Sequence, residues 1–331
     1  MLSQDALLHK AQTLESVTGD KRYFRKKEYP GFDAPVFKPS KDFLYSQARQ
    51  ILNEKGTDKK VRCFLQVPTD SSKTCSLVVG AVNRWDKDRE SYFTKRAYER
   101  SVGEVIIAKR LVGKEGIAQF LFSEEVLGEE DQRPKLFSFW KYYEGGSCVG
   151  LKDLSALEQI QIAKELIVGV WNMHILGIVH GDLKPNNALR YTVEGKKHAL
   201  WTDFGNSFDG EIPPSYSTFW STGYGSALSA APEVWQEVPF RGDYFKADIF
   251  ALGTTLFQLY TGRFPPWAPK VCEYLKKRCS REELKDHLIT SLASFKQHVN
   301  PYLNLICMML EVDPEKRIDI FRCKELISDI E

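Results

Sequence analysis

The chain has few features that would tie it to an oxidising compartment, a structural metal or a membrane. Its 331 residues include seven cysteines, Cys63, Cys75, Cys148, Cys272, Cys279, Cys307 and Cys323. None forms a CxxC pair and their number is odd, which argues against a disulfide framework or a zinc knuckle and for a reducing compartment. No uncharged apolar stretch is long enough to span a bilayer. The N-terminal run MLSQDALLHKAQTLES meets His9 and Lys10 before any apolar core develops, so no secretory signal is expected. A formal net charge of +2 gives no global field for nucleic acid or an anionic surface. No internal repeat or low-complexity tract appears. His174 and His180 lack metal-ligand partners at suitable spacing, and the aromatics are not interleaved with basic residues as in a nucleic-acid groove. The expectation is a soluble intracellular protein, cytoplasmic or nuclear, with no nucleic-acid partner and no membrane insertion.

What is present is an ordinary globular composition, 43% hydrophobic and 27% charged. The length suits two lobes around a cleft, or one large domain with an extension. Residues 1–55 read as an N-terminal extension: KRYFRKKEYPGFDAPVFKPSK mixes a basic run with prolines, and DFLYSQARQIL (42–52) reads as a short amphipathic helix. The cluster Lys21, Arg22, Arg25, Lys26 and Lys27 is read as a solvated charged face before a nuclear address or a contact for an acidic partner. Residues 56–143 alternate strand-like runs, VRCFLQVP, CSLVVGAV, IAQFLF and KLFSFW, with one helical stretch from about Glu90 to Val112. From 144 to 331 the pattern turns helical. Ile160, Ala163, Ile167 and Val170 recur at spacings of three and four, NALRY and HALW form a strand pair around Gly195, and ADIFALGTTLFQLY is a strongly apolar helix. The fold class expected is α+β, with a small β-rich lobe followed by a larger helical one.

Two segments carry chemistry. His180-Gly-Asp-Leu-Lys-Pro-Asn-Asn187 lies on a loop between a helix and a strand, and Asp203-Phe-Gly205 follows HALWT directly. Magnesium takes hard oxygen ligands and dehydrates reluctantly, so a few carboxylate or amide oxygens plus phosphate hold it. A hydroxyl nucleophile needs an acceptor within hydrogen-bond reach and a cation near the departing charge. Either tripeptide alone is an ordinary turn or cap. Their order, and the strand-turn-strand between them, make the combination specific.

With these motifs the sequence resembles the eukaryotic-type protein kinases. The resemblance implies ATP and Mg2+ as cofactors and a protein substrate. It implies that Asp182 orients the substrate hydroxyl and accepts its proton, that Lys184 lies by the γ-phosphate, and that Asn187 and Asp203 hold the metal. A lysine two positions after the aspartate resembles the serine/threonine branch. Gly225-Ser-Ala-Leu-Ser-Ala-Ala-Pro-Glu233 is similar to the family's GTxxYxAPE segment, with Ser226 and Ser229 in place of threonine and tyrosine. The resemblance further implies a buried Glu233–Arg317 pair, an Asp248 that holds the catalytic loop's backbone, and adenine contacts along Lys141, Tyr142 and Tyr143, with Trp140 as gatekeeper.

The first lobe departs from that pattern. No GxGxxG occurs between residues 50 and 80; Gly56 is isolated and Gly80 lies in an expected strand. Glu104 aligns as the helix glutamate of the family's ion pair, with Glu99 in reserve. The expected Ala-x-Lys, however, reads Ala81-Val82-Asn83, followed by Arg84. Asn83 leaves the α- and β-phosphates without a charge-assisted contact, unless a one-residue bulge brings Arg84 there or Lys73 or Lys87 reaches in. Gly181 stands where many kinases carry the arginine that grips a phosphorylated activation loop. Activity is therefore expected not to depend on phosphorylation of Ser215, Ser217, Thr218, Ser221 or Thr222. Three readings follow: an active serine/threonine protein kinase, a pseudokinase scaffold, and a small-molecule kinase of the aminoglycoside-phosphotransferase type. The third is disfavoured by GSALSAAPE, DIFALG and Arg317, which shape a protein-substrate platform in the first.

Overall fold

The computed structural model describes residues 43–53, 59–68, 76–83, 92–127, 134–151, 154–210, 228–234, 242–293, 295 and 300–330. Two compact units emerge. The first draws its described residues from Met1–Ile106 and Gln119–Tyr142, the second from Ile107–Ala118 and Tyr143–Glu331. The basic cluster at 21–27, Gly56, Lys73, Arg84, Lys87, Ser226 and the hydroxyls between 215 and 222 lie outside the described residues.

The first unit is built on a five-stranded antiparallel sheet in the order β1-β2-β3-β5-β4. Its strands are β1 (Phe43–Asn53), β2 (Lys59–Pro68), β3 (Ser76–Asn83), β4 (Phe120–Leu127) and β5 (Pro134–Lys141). Among the described residues one helix, α1 (Tyr92–Arg110), begins in this unit and ends in a basic turn, Lys109 and Arg110, which suits the negative end of a helix dipole. β1 corrects the helix expected for 42–52, and it lies inside the stretch read as an extension. The apolar residues of this segment recur at helical spacing, yet it pairs with β2 from Phe43↔Pro68 to Asn53↔Val61. Register shifts between Gln47 and Ile51 and between Ile51 and Asn53 absorb the mismatch with strict alternation. A long partner strand has overridden a local helical pattern. The unit's core centres on Val78 and Phe139, with Leu121, Phe122 and Phe137 packed against them. Phe122 and Phe139 stack at 4.3 Å, and Trp140 meets Phe120 edge-on at 5.2 Å.

The second unit is mainly helical. Helix α2 (Ala156–His174) starts at a capping box: the Glu158 N–H donates to Ser155 Oγ (3.2 Å), and the Ser155 N–H donates to Glu158 Oε2 (2.8 Å). It buries Ile162, Ala163, Leu166, Ile167, Val170 and Met173, while Ile160 is only half-buried. Gly169 on this helix meets Gly116, whose carbonyl oxygen lies 2.5 Å from where a Cβ on residue 169 would stand. Beside this close approach the Ala118 N–H donates to the Trp201 carbonyl at 2.8 Å, and the Trp201 N–H donates to the Gly116 carbonyl at 2.9 Å. The hairpin β7 (Ala188–Val193)/β8 (Lys196–Trp201) turns through Glu194 and Gly195, both at positive φ, as a two-residue hairpin loop demands. A second small pair joins β6 (Ile178–Val179) to β9 (Phe208–Asp209).

Helix α3 (Tyr244–Thr261) is capped by Asp243 and stopped by Gly262 at φ +65°, and it is buried almost all round. Among the described residues four shorter helices follow: α4 (Ala268–Leu275), α5 (Arg281–Ala293), α6 (Pro301–Met309) and α7 (Ile320–Ser328). Arg317, 1% exposed, forks onto Glu233 at 2.6 and 3.0 Å and also donates to the carbonyls of Lys246 and Glu311, both at 2.7 Å. No described helix is long and apolar enough to cross a membrane.

Candidate active site

The site grows from the loop that leaves β6. Asp248 on α3, 3% exposed, anchors the loop's start from below. Its Oδ2 accepts the His180 N–H at 2.7 Å and its Oδ1 accepts the Gly181 N–H at 3.0 Å, while His174 Nε2 lies 3.2 Å from Oδ2. A buried carboxylate satisfied by two backbone donors fixes the chain's direction at this point. Gly181 takes φ +75°, and a Cβ there would lie 2.7 Å from the Asn206 carbonyl oxygen.

His180 is fully buried, with its ring near those of Trp201 and Phe204. Its Nδ1 accepts the Asp182 N–H at 3.2 Å, so the proton sits on Nε2, which donates to the Thr202 carbonyl at 3.2 Å. Burial pushes its pKa below the ordinary histidine value, outweighing the nearby carboxylates of Asp248, Asp182 and Asp203. The ring is thus a neutral strut joining the loop to the backbone just before Asp203.

Asp182 lies at the centre, with its side chain 7% exposed. Its Oδ2 accepts from Lys184 Nζ at 2.7 Å, Asn187 Nδ2 at 3.1 Å and Asn206 Nδ2 at 3.2 Å. Asn187 Nδ2 also donates to the Asp182 carbonyl at 2.9 Å, so the amide's nitrogen is committed to Asp182 and its oxygen is the group left to act as an acceptor. The Asn187 carbonyl accepts the Thr202 N–H at 2.9 Å, which brings the end of β8 against the loop. Asp203 follows at φ 63°, ψ 71°, a left-handed conformation rare outside glycine, at the head of the turn Phe204–Asn206. Phe204 is fully buried, and the strained aspartate is held by structure on both sides. A cavity lined by Gly181, Asp182, Ser229, Ala231, Tyr244 and Asp248 adjoins the loop. Ser229, 4% exposed, therefore lines the same small space as Asp182.

Of the residues singled out in the sequence, Asp182, Lys184 and Asn187 share direct contacts, and Asp203 adjoins them through Thr202. Tyr143 opens the longer segment of the second unit, is 8% exposed, and has its ring 5.4 Å from that of Tyr191. The others belong to the first unit. Glu104 is buried on α1 at 3% exposure. Asn83 ends β3 opposite Lys59. Lys141, exposed, ends β5 and donates its N–H to the Gln119 carbonyl at 2.9 Å, and Tyr142 follows it. Two contacts were missed: Asn206 on Asp182, and Ser207 Oγ donating to the His180 carbonyl at 3.0 Å. The available signal was the polar pair directly after Gly205. Among the described residues no group of three or more histidine, cysteine, aspartate or glutamate side chains gathers as a metal cage.

A small antiparallel sheet with one long helix, followed by a helical unit that carries this loop and turn, defines the α+β protein-kinase-like fold. The chain belongs to that family: it matches the protein kinase domain over residues 104–327, more than half its length. It is 37% identical over 134 residues to the serine/threonine-protein kinase GIN4 of Saccharomyces cerevisiae, covering 39% of this chain and 11% of that protein. A probable serine/threonine-protein kinase of Dictyostelium discoideum is 30% identical over 199 residues, 57% of this chain and 21% of that one. The serine/threonine-protein kinase cds1 of Schizosaccharomyces pombe is 29% identical over 235 residues, 68% of this chain and 46% of that one. In each case the matched part is under half of the relative's own length.

Proposed function

We propose that the protein transfers the γ-phosphoryl group of ATP to serine or threonine hydroxyls of protein substrates. The observation that carries this reading is the Asp182–Lys184–Asn187 cluster, held from α3 by Asp248 and placed directly beside the strained Asp203. A carboxylate and an ammonium 2.7 Å apart and only partly solvated are suited to a proton acceptor and a charge-stabilising partner at one centre.

The donor set fits magnesium rather than a thiolate- or imidazole-loving metal. One carboxylate, Asp203, and one amide oxygen, that of Asn187, are the kind of sparse oxygen set that leaves the remaining positions to phosphate and water. Asn187 and Asp203 would hold the ion, which when bound supplies neutralisation of phosphate charge. In the reaction the substrate hydroxyl oxygen forms a bond to the γ-phosphorus while the bond from that phosphorus to the β-bridging oxygen breaks. The hydroxyl proton passes to the Asp182 carboxylate, and ADP leaves with the electron pair. Lys184 offsets negative charge on the transferring group. Asp248 and His180 keep Asp182 in place without taking part.

A second reading, a pseudokinase that binds partners with little or no catalysis, is favoured by one observation. Asn83, where the family pattern expects lysine, is in register in β3. The two readings separate in one assay, incorporation of labelled phosphate from ATP into a generic protein substrate. Transfer by the wild type that falls by about a hundredfold or more in Asp182→Asn supports the kinase. A folded wild type that transfers nothing, or a variant that transfers as well as the wild type, overturns it.

A further inference from the structure

Asp182 is gripped by a side chain that none of the expected roles includes. Lys184, Asn187 and Asn206 all donate to its Oδ2, and the first two come from the loop that carries Asp182 itself. The third, Asn206, comes from the turn after Asp203-Phe204-Gly205. The turn is seated against the loop by two further features. The Asn206 carbonyl occupies the space that any Cβ on residue 181 would enter, at 2.7 Å. Ser207 Oγ donates to the His180 carbonyl at 3.0 Å, and the Ser207 N–H closes the turn on the Phe204 carbonyl, also at 3.0 Å.

Residues 180–182 and 204–207 are therefore laced together at the side chain of Asp182, at the backbone of Gly181 and at the carbonyl of His180. These contacts join residues of the 180–207 stretch to one another, at a position where Gly181 offers no arginine to grip a phosphorylated loop. An amide is the suitable group for this place. It donates to the carboxylate without adding a second cation beside Lys184, whereas a carboxylate there would repel Asp182.

We propose that Asn206 is a positioning residue that orients the Asp182 carboxylate for the incoming hydroxyl, with Gly181 and Ser207 seating the turn that presents it. The proposal rests on the phosphoryl-transfer reading above. It makes the turn after Asp203 part of the machinery that aims the proton acceptor, so that the metal-side and hydroxyl-side halves of the site keep a fixed spacing.

The test compares wild type, Asn206→Ala, Asn206→Ser, Asn206→Asp, Asp182→Asn and the swap Asp182→Asn/Asn206→Asp. Loss of the donor in Asn206→Ala lowers kcat by about ten- to a hundredfold while KM for ATP stays within about twofold, because aim rather than nucleotide binding is lost. Asn206→Ser, which keeps a shorter donor, falls between wild type and Asn206→Ala. Asn206→Asp lowers the thermal midpoint, since two carboxylates then face each other, and adding Asp182→Asn restores it by re-forming an amide–carboxylate pair in reverse. Wild-type kcat in Asn206→Ala, or no recovery of the midpoint in the swap, overturns the proposal. A wild type that transfers no phosphate instead overturns the kinase reading, and the swap's thermal midpoint still decides whether the contact exists.

Discussion

Single residues in the second unit are placed by very few interactions, each of them buried. Asp248 spends its carboxylate on the backbone of His180 and Gly181, and Arg317 spends its guanidinium on Glu233 and three carbonyls. Neither side chain can be replaced without leaving a buried partner unsatisfied, at a cost of about 3–5 kcal/mol for one half of a buried ion pair. His180 behaves differently because it is buried neutral. Its folded pKa lies below its unfolded value of about 6.5, so the unfolded chain binds the proton first as pH falls. Its stabilising contribution is present in full above about pH 6.5 and is lost as pH drops below that value. Urea unfolding between pH 5 and pH 8 should show a midpoint that declines on the acid side, with a shallower decline in His180→Gln. A slope unchanged by that substitution would assign the effect to other groups.

At the scale of elements, the contact between Gly169 of α2 and Gly116 decides how closely the stretch from Ile107 to Ala118 lies on the helix. Alanine usually favours a helix interior over glycine by about 0.5–1 kcal/mol. Here its Cβ would stand 2.5 Å from the Gly116 oxygen and 2.7 Å from Trp201 Cδ1. Gly169→Ala is expected to destabilise the protein by about 1–3 kcal/mol, read as a lowered urea midpoint, because backbone cannot yield as a flexible side chain does. A variant as stable as the wild type would mean that the two segments separate freely.

Elements also show what could be read from the sequence. The helix near 90–112, the Gly195 hairpin and the apolar α3 were legible because periodicity and turn residues act locally. The strand Phe43–Asn53 was not, because its identity comes from its pairing with β2, and its bulges hide the alternation. The Asp182, Lys184 and Asn187 cluster was legible because its members share one short loop. Asn206 was not, since its contact depends on the positive φ of Gly181 and the left-handed φ of Asp203, neither of which leaves a mark in residue spacing.

For the whole molecule, membership of the protein kinase domain family and the geometry of the loop converge on one account. In the second unit Asp182, Lys184, Asn187 and Asp203 lie within one stretch of chain clamped by Asp248 of α3, and the proposed function assigns to them the proton acceptor, the cation and the two metal ligands. On the proposed function, Asn83 in place of the usual lysine removes a cation from the phosphates, so affinity for ATP is expected to lean heavily on the metal.

The most direct measurement is calorimetric titration of ATP into the wild type, with and without magnesium, alongside Asp203→Ala and Asn187→Ala. The account predicts that magnesium strengthens binding to the wild type by about tenfold or more, and that either variant removes most of that gain. ATP binding that is equally strong with and without magnesium in all three proteins, or undetectable in the folded wild type, would contradict it.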